Sequence, residues 1–128
     1  MSIPQERSFI ETIFTCIDDG VITINDTNII TFCNATAGRL LSINPAIVTG
    51  QHYQEAFNSF PQLGLIGRLH ALRMQQQTGS VVRTLVAGNV PGRGQVQMNL
   101  SLGLVTDLRL NYLGMVMILD NSMERILA

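Results

Sequence analysis

Residues 16–41, CIDDGVITINDTNIITFCNATAGRLL, constrain the fold more than any other stretch of this chain. Two short runs of β-branched and aromatic residues, Val21-Ile22-Thr23-Ile24 and Ile29-Ile30-Thr31-Phe32-Cys33, read as strands. Between them lie Asn25, Asp26, Thr27 and Asn28, which tolerate left-handed backbone and bond their own main chain. Asn34 then stands at the N-cap position of an Ala-rich helical run, and Asp18-Asp19-Gly20 closes the segment before the first strand. The order is strand, tight turn, strand, capped helix.

Upstream, residues 2–17 read as an amphipathic helix. Ser2 and Gln5 form a capping box, Pro4 fits a first turn, and Phe9, Ile10, Ile13, Phe14 and Ile17 recur at three and four. This helix either packs on its own domain or forms a dimer, and the two roles are compatible. Downstream, Pro45 breaks the chain after Asn44, and Phe60-Pro61 breaks it again. From 62 to 77 the spacing predicts a longer helix with Leu63, Ile66, Leu69, His70 and Arg73 along one side. Three strands follow. The first is expected over 80–87, with 88–94 as a Gly-rich loop. The second alternates Val96, Met98, Leu100, Leu102 and Leu104 with polar or small residues, as a half-buried antiparallel strand does. The third, 112–119, is apolar throughout, so both of its faces are expected to be covered, one of them by the N-terminal helix or a second subunit.

Composition narrows the function. The chain has 128 residues, enough for one core-forming domain, with 46% hydrophobic and only 13% charged residues. A net charge of −1 gives no footprint for nucleic acid, and all eight basic residues are Arg. No apolar run reaches the roughly 18 residues of a membrane span, and no signal-peptide pattern opens the chain, so a cytoplasmic location is expected. Cys16 and Cys33 read as buried thiols in a reducing compartment. Catalysis is not expected. His52 and His70 are the only histidines, no nucleophile elbow is present, and the two His and two Cys lack metal-ligand spacing. The Gly-rich 88–94 lies between strands rather than before a helix, which excludes a phosphate cradle.

The succession Asp19-Gly20-Val21-Ile22, hairpin, Asn34-Ala35 and Ala37 resembles the opening of a PAS domain. Val48-Thr49-Gly50 resembles the family's next step, and Asp120-Asn121-Ser122 its closing Asp-x-Thr/Ser motif, after which Met123, Ile126 and Leu127 begin an output helix. The resemblance implies an α+β fold: a five-stranded antiparallel sheet with helices on one face, and the N-terminal helix on the other face or on a partner subunit. It divides the chain into a dimerisation helix (1–18), a core (19–122) and the start of an output helix (123–128), so the sequence reads as a piece of a longer protein. The implied function is a sensory module that dimerises through Phe9, Ile10, Ile13, Phe14, Ile17, Met115 and Met117. It would relay a signal to a C-terminal effector of the histidine kinase (two-component) or nucleotide cyclase type.

The family's pocket holds flavin, haem, small metabolites or nothing. Tyr53 stands where the flavin-adduct subgroup has its Cys, and Met98 and Ile118 stand where that subgroup has amides, so no flavin adduct is expected. Haem would require His70, which lies nearer the next strand than the haem pattern places it. A small polar ligand would be held by His70 or Arg73 over a floor of Ile24, Met98, Leu100 and Ile118, with Tyr53 a further pocket candidate. No cofactor is predicted, and a ligand-free scaffolding module is the alternative.

Overall fold

The computed structural model describes residues 18–75 and 81–120. The predicted N-terminal helix with Phe9, Ile10, Ile13, Phe14 and Ile17, and the end of the closing motif, Asn121 and Ser122, lie outside the described residues. Strands β1 (Gly20–Asn25) and β2 (Ile30–Cys33) lead to helices α1 (Ala35–Leu41), α2 (Pro45–Val48) and α3 (Tyr53–Ala56). A 3-10 turn (Pro61–Leu63) and helix α4 (Leu65–Gln75) follow, then β3 (Val81–Val90), β4 (Gly94–Thr106) and β5 (Tyr112–Asp120). The five strands form one antiparallel sheet in the order β2-β1-β5-β4-β3, the predicted architecture.

Each local element has an identifiable cause. The β1–β2 turn is built on Asn25, whose Oδ1 accepts the Thr27 and Ile29 N–H groups at 3.0 Å each. Asn28 takes the left-handed conformation, φ 68°, that its short polar side chain tolerates. Asn34 is the N-cap of α1 and is itself buried, 4% exposed. Its Oδ1 accepts the Ala37 N–H at 2.9 Å and the Val21 N–H at 3.0 Å. Its Nδ2 donates to the Asp19 carbonyl at 2.9 Å, and its own N–H donates to the Val21 carbonyl at 3.0 Å. One side chain therefore caps the helix and extends the ladder of β1 where β2 ends. Asn44 and Pro45 start α2 in the same economical way, with Asn44 Oδ1 accepting the Ala46 N–H at 2.9 Å.

Burial alternates along the strands because successive side chains point to opposite faces. Ile22 and Ile24 of β1, Val86 and Val90 of β3, Met98, Leu100 and Leu102 of β4, and Met115, Met117 and Leu119 of β5 share one buried cluster with Leu40, Leu41, Phe57, Phe60, Leu63 and Leu69. At β5 the close crossing with β1 demands glycine: a Cβ on Gly114 would land on the Ile24 carbonyl oxygen.

Three expectations change. Met115 and Met117 are not on the outer face; they are 1% and 0% exposed, on the helix side. Register sets this, since Met117 pairs with Ile22 and Met115 with Ile24, both core residues. Ile118 correspondingly leaves the predicted ligand pocket, being paired with Val21 on the opposite face, where it is half-buried. On the outer face of β5, Val116 and Ile118 are half-buried and Leu113 is 50% exposed, and the N-terminal helix expected to cover that face lies outside the described residues. Finally, β3 continues through the predicted loop to Val90, because Gly88 pairs with Val96 while Gln62 occupies the space its side chain would need.

Replacing Asn34 by Ala leaves the Val21 and Ala37 amides and the Asp19 carbonyl without that partner. The expected cost is about 2–4 kcal/mol, read as a lowered urea midpoint at unchanged m-value.

Candidate functional site

The polar groups that the fold brings together lie at the hairpin end of the sheet. Asn28, in its left-handed turn position, is the hub. Its carbonyl accepts the Tyr53 N–H at 3.1 Å, and its Oδ1 accepts a hydrogen bond from Arg73 Nη1 at 2.8 Å. The same Nη1 donates to the Asp26 carbonyl at 3.1 Å. Arg73 belongs to the last turn of α4, so this contact ties α4 to the β1–β2 turn. Its guanidinium also lies over the Tyr112 ring, 4.3 Å from the centroid, at the first residue of β5. Tyr53, Arg73 and Tyr112 thus form a small cluster bordered by α3, α4 and β5.

Burial pushes the Tyr53 and Tyr112 phenols upward from their ordinary value, and the Arg73 charge opposes the shift in both. Tyr112 Oη is buried and has no hydrogen-bond partner among the described residues. Arg73 sits on the ring face near this hydroxyl, and its positive charge and its donor groups both favour the ionised form. The cluster can hold a polar or anionic group by charge and by phenolic hydrogen bonds. It offers no nucleophile and base pair.

The predicted ligand residues divide. Tyr53, Ile24, Met98 and Leu100 are buried together in the core, and Arg73 is half-buried at its edge. His70 is not in the pocket: it is exposed, because the buried stripe of α4 is Leu65, Leu69 and Leu72. Haem ligation through His70 finds no support in that placement. His52, which the sequence reading left without a role, caps α3: its Nδ1 accepts the Gln54 N–H at 3.1 Å, and its ring lies 5.0 Å from that of Tyr53. Sequence reasoning also missed Tyr112. The available signal was a tyrosine opening an otherwise apolar strand, a position where the hydroxyl needs a partner.

Cys33 lies on β2, buried, with Sγ 3.6 Å from the Asn34 carbonyl oxygen. Burial pushes its thiol up to about 11. No group of three or more His, Cys, Asp or Glu among the described residues is arranged to hold a metal, and no described helix is long and apolar enough to cross a membrane.

Comparison with known proteins gives one family. Residues 7–93 match the model of the PAS fold. No curated protein matches. Among solved structures, a PAS domain from Colwellia psychrerythraea superposes with a TM-score of 0.69 at 10% identity, over 97% of this chain and 100% of that one. The Vibrio cholerae VqmA dimer, described as a LuxR-type receptor, gives 0.69 at 13% identity over 94% of this chain, which spans 52% of the VqmA chain. A PAS domain from a two-component sensor histidine kinase gives 0.64 at 8% identity, over 92% of this chain and 96% of that one. At such identities the likeness is one of fold.

Two predictions follow from the geometry of the buried groups. Tyr112→Phe removes a buried hydroxyl that has no partner, so thermal unfolding should occur at the same or a higher temperature; a clear loss would mean that the hydroxyl is bonded in solution. The native state keeps Cys33 protonated to about 11, whereas the ordinary value is 9.0. Its contribution to stability is therefore complete below pH 9 and falls as pH rises through 11, since only the unfolded chain releases the proton early. In Cys33→Ala the decline of stability over that range should be shallower than in the parent protein.

Proposed function

This chain belongs to the PAS family, and from that premise we propose that it is the regulatory sensory module of a cytoplasmic signalling protein. The observation that carries the reading is the course of β5. This strand begins at Tyr112 beneath Arg73, runs through the sheet between β1 and β4, and ends at Asp120, the first residue of the closing motif. A change at the polar cluster has a path to the closing motif along a strand that is paired on both sides from Gly114 to Leu119. The module is not itself an enzyme; it acts on an effector beyond Asp120, Asn121 and Ser122, of the histidine kinase or nucleotide cyclase type. The fold's occurrence in a sensor histidine kinase favours the first.

Its signal is a small polar or anionic molecule, with Arg73, Tyr53 and Tyr112 as its polar contacts. Flavin and haem play no part. The module works as a homodimer, with Phe9, Ile10, Ile13, Phe14 and Ile17 contributing one part of the interface and the outer sheet face the other. Support for the second part is the apolar character of that face at Leu113, Val116 and Ile118. A ligand-free dimerisation scaffold is the second reading, favoured by the continuity of the buried cluster, which runs unbroken from α1 to β3.

Native mass spectrometry against the denatured mass tests both parts at once. A dimer carrying extra non-covalent mass supports the sensor, a bare dimer supports the scaffold, and a bare monomer at micromolar concentration overturns the dimer. Ile13→Asp should convert the dimer to monomer; an unchanged mass in solution removes the helical part of the interface.

A further inference from the structure

Strand β3 is the outermost strand on its side of the sheet, and its two halves are treated differently. At the Val90 end, the outward-facing amide of Asn89 donates to Gln62 Oε1 at 2.7 Å. Gly88 lets that side chain lie against the strand, for a Cβ there would meet Gln62 Cβ at 2.6 Å. In the turn beyond, the Val90 carbonyl accepts the Arg93 N–H, so the backbone groups of Val90 face β4. Backbone groups alternate sides along an antiparallel strand, so those of Val82, Thr84, Val86 and Gly88 also face β4, while those of Val81, Arg83 and Leu85 point outward with those of Asn89.

The outward groups at the Val81 end have no such cover among the described residues. No described residue bonds the Val81 or Arg83 backbone on that side, and the Leu85 carbonyl receives only a long contact, 3.5 Å, from the neighbouring Thr84 hydroxyl. Val81, Val82 and Leu85 are 57%, 39% and 48% exposed. Edges of this length are ordinarily guarded by charge, proline, a bulge or a covering segment. Here one half is covered by Gln62, and the other carries only Arg83, whose side chain has no hydrogen-bond or ion-pair partner among the described residues.

The geometry points to a strand-docking site at 81–85 for an extended segment of another protein that carries an acidic residue opposite Arg83 and β-branched residues beside it. Main-chain bonds to the outward groups of Val81, Arg83 and Leu85 supply the pairing, and the carboxylate supplies the register. Self-pairing is disfavoured by the same residues. The one antiparallel register that matches the open half with itself sets Arg83 directly opposite Arg83 of the second copy. Like charges at such a position are destabilising, and sliding toward Val90 runs the partner into the Gln62 cover.

The test is an amide-resolved NMR titration of the full chain with a blocked peptide, Thr-Val-Glu-Val-Thr, and its Lys-centred counterpart. The Glu peptide should slow exchange at the Val81, Arg83 and Leu85 amides and leave Val82 and Thr84 unchanged. The Lys peptide should bind about two- to fivefold more weakly, within the span expected of one cross-strand charge pair. Leu85→Pro deletes an outward N–H that the sheet does not use, and should weaken binding while the β4 amides stay protected. Should that variant misfold, Arg83→Glu remains decisive, because it should reverse the preference between the two peptides. Equal binding of both peptides, no protection by either, or protection that rises with protein concentration alone would overturn the proposal.

Discussion

The Asn34 carboxamide is the interaction on which the rest of the structure depends. Asn34 sits where β2 turns into α1, and its polar atoms bind three separate pieces of backbone: Asp19 before β1, Val21 within it, and Ala37 in the first turn of α1. Water is excluded from that point, so the helix terminus, the strand edge and the approach to β1 must be satisfied by protein. A side chain with both a donor and an acceptor in one plane meets all three demands, which an aspartate or a serine would not. With β1 and α1 fixed in this way, the first layer of the core follows: Ile22 and Ile24 face Leu40 and Leu41, and β5 can pair along the other side of β1.

The central pairing of β1 with β5 then assigns every face. It turns Met115, Met117 and Leu119 toward the helices and Val116 and Ile118 away from them. It also brings Tyr112 under Arg73, although the two are distant in sequence, and Arg73 in turn holds the hairpin turn through Asp26 and Asn28. The polar cluster is thus a consequence of strand register rather than of any local motif. Its cation donates to a backbone carbonyl and a side-chain amide oxygen, and its positive charge lies beside two phenols.

Much of this was legible in the sequence, and the exceptions have physical reasons. The hairpin, the Asn34 cap and the alternating strand β4 were readable because each depends on local chemistry: turn residues, a cap oxygen, a period of two. Strand β5 was placed correctly, but its faces were not, because an uninterrupted apolar run carries no parity; only the partner strand reveals which residue points inward. In α4, Leu65, Ile66, Leu69, Leu72 and Met74 are spread over more than one side, so the periodicity did not separate the buried Leu72 from the exposed His70. The Gly-rich 88–94 looked like a loop, and the place of 88–90 in β3 depends on Gln62, which comes from the 3-10 turn far earlier in the chain. Tyr112 and Asn28 were overlooked as site residues for the same reason: long-range packing gives them their partners.

The account makes the Asn34 node part of the last structure to be lost, rather than a peripheral cap that frays. Native-state hydrogen exchange in graded low denaturant measures this directly. The Val21 and Ala37 amides should open only with global unfolding, at the same free energy and with the same denaturant dependence as the amides of Leu100 and Met117 in the centre of the sheet. Exchange of Val21 and Ala37 through a smaller, denaturant-independent opening, while the central strands stay closed, would contradict the account.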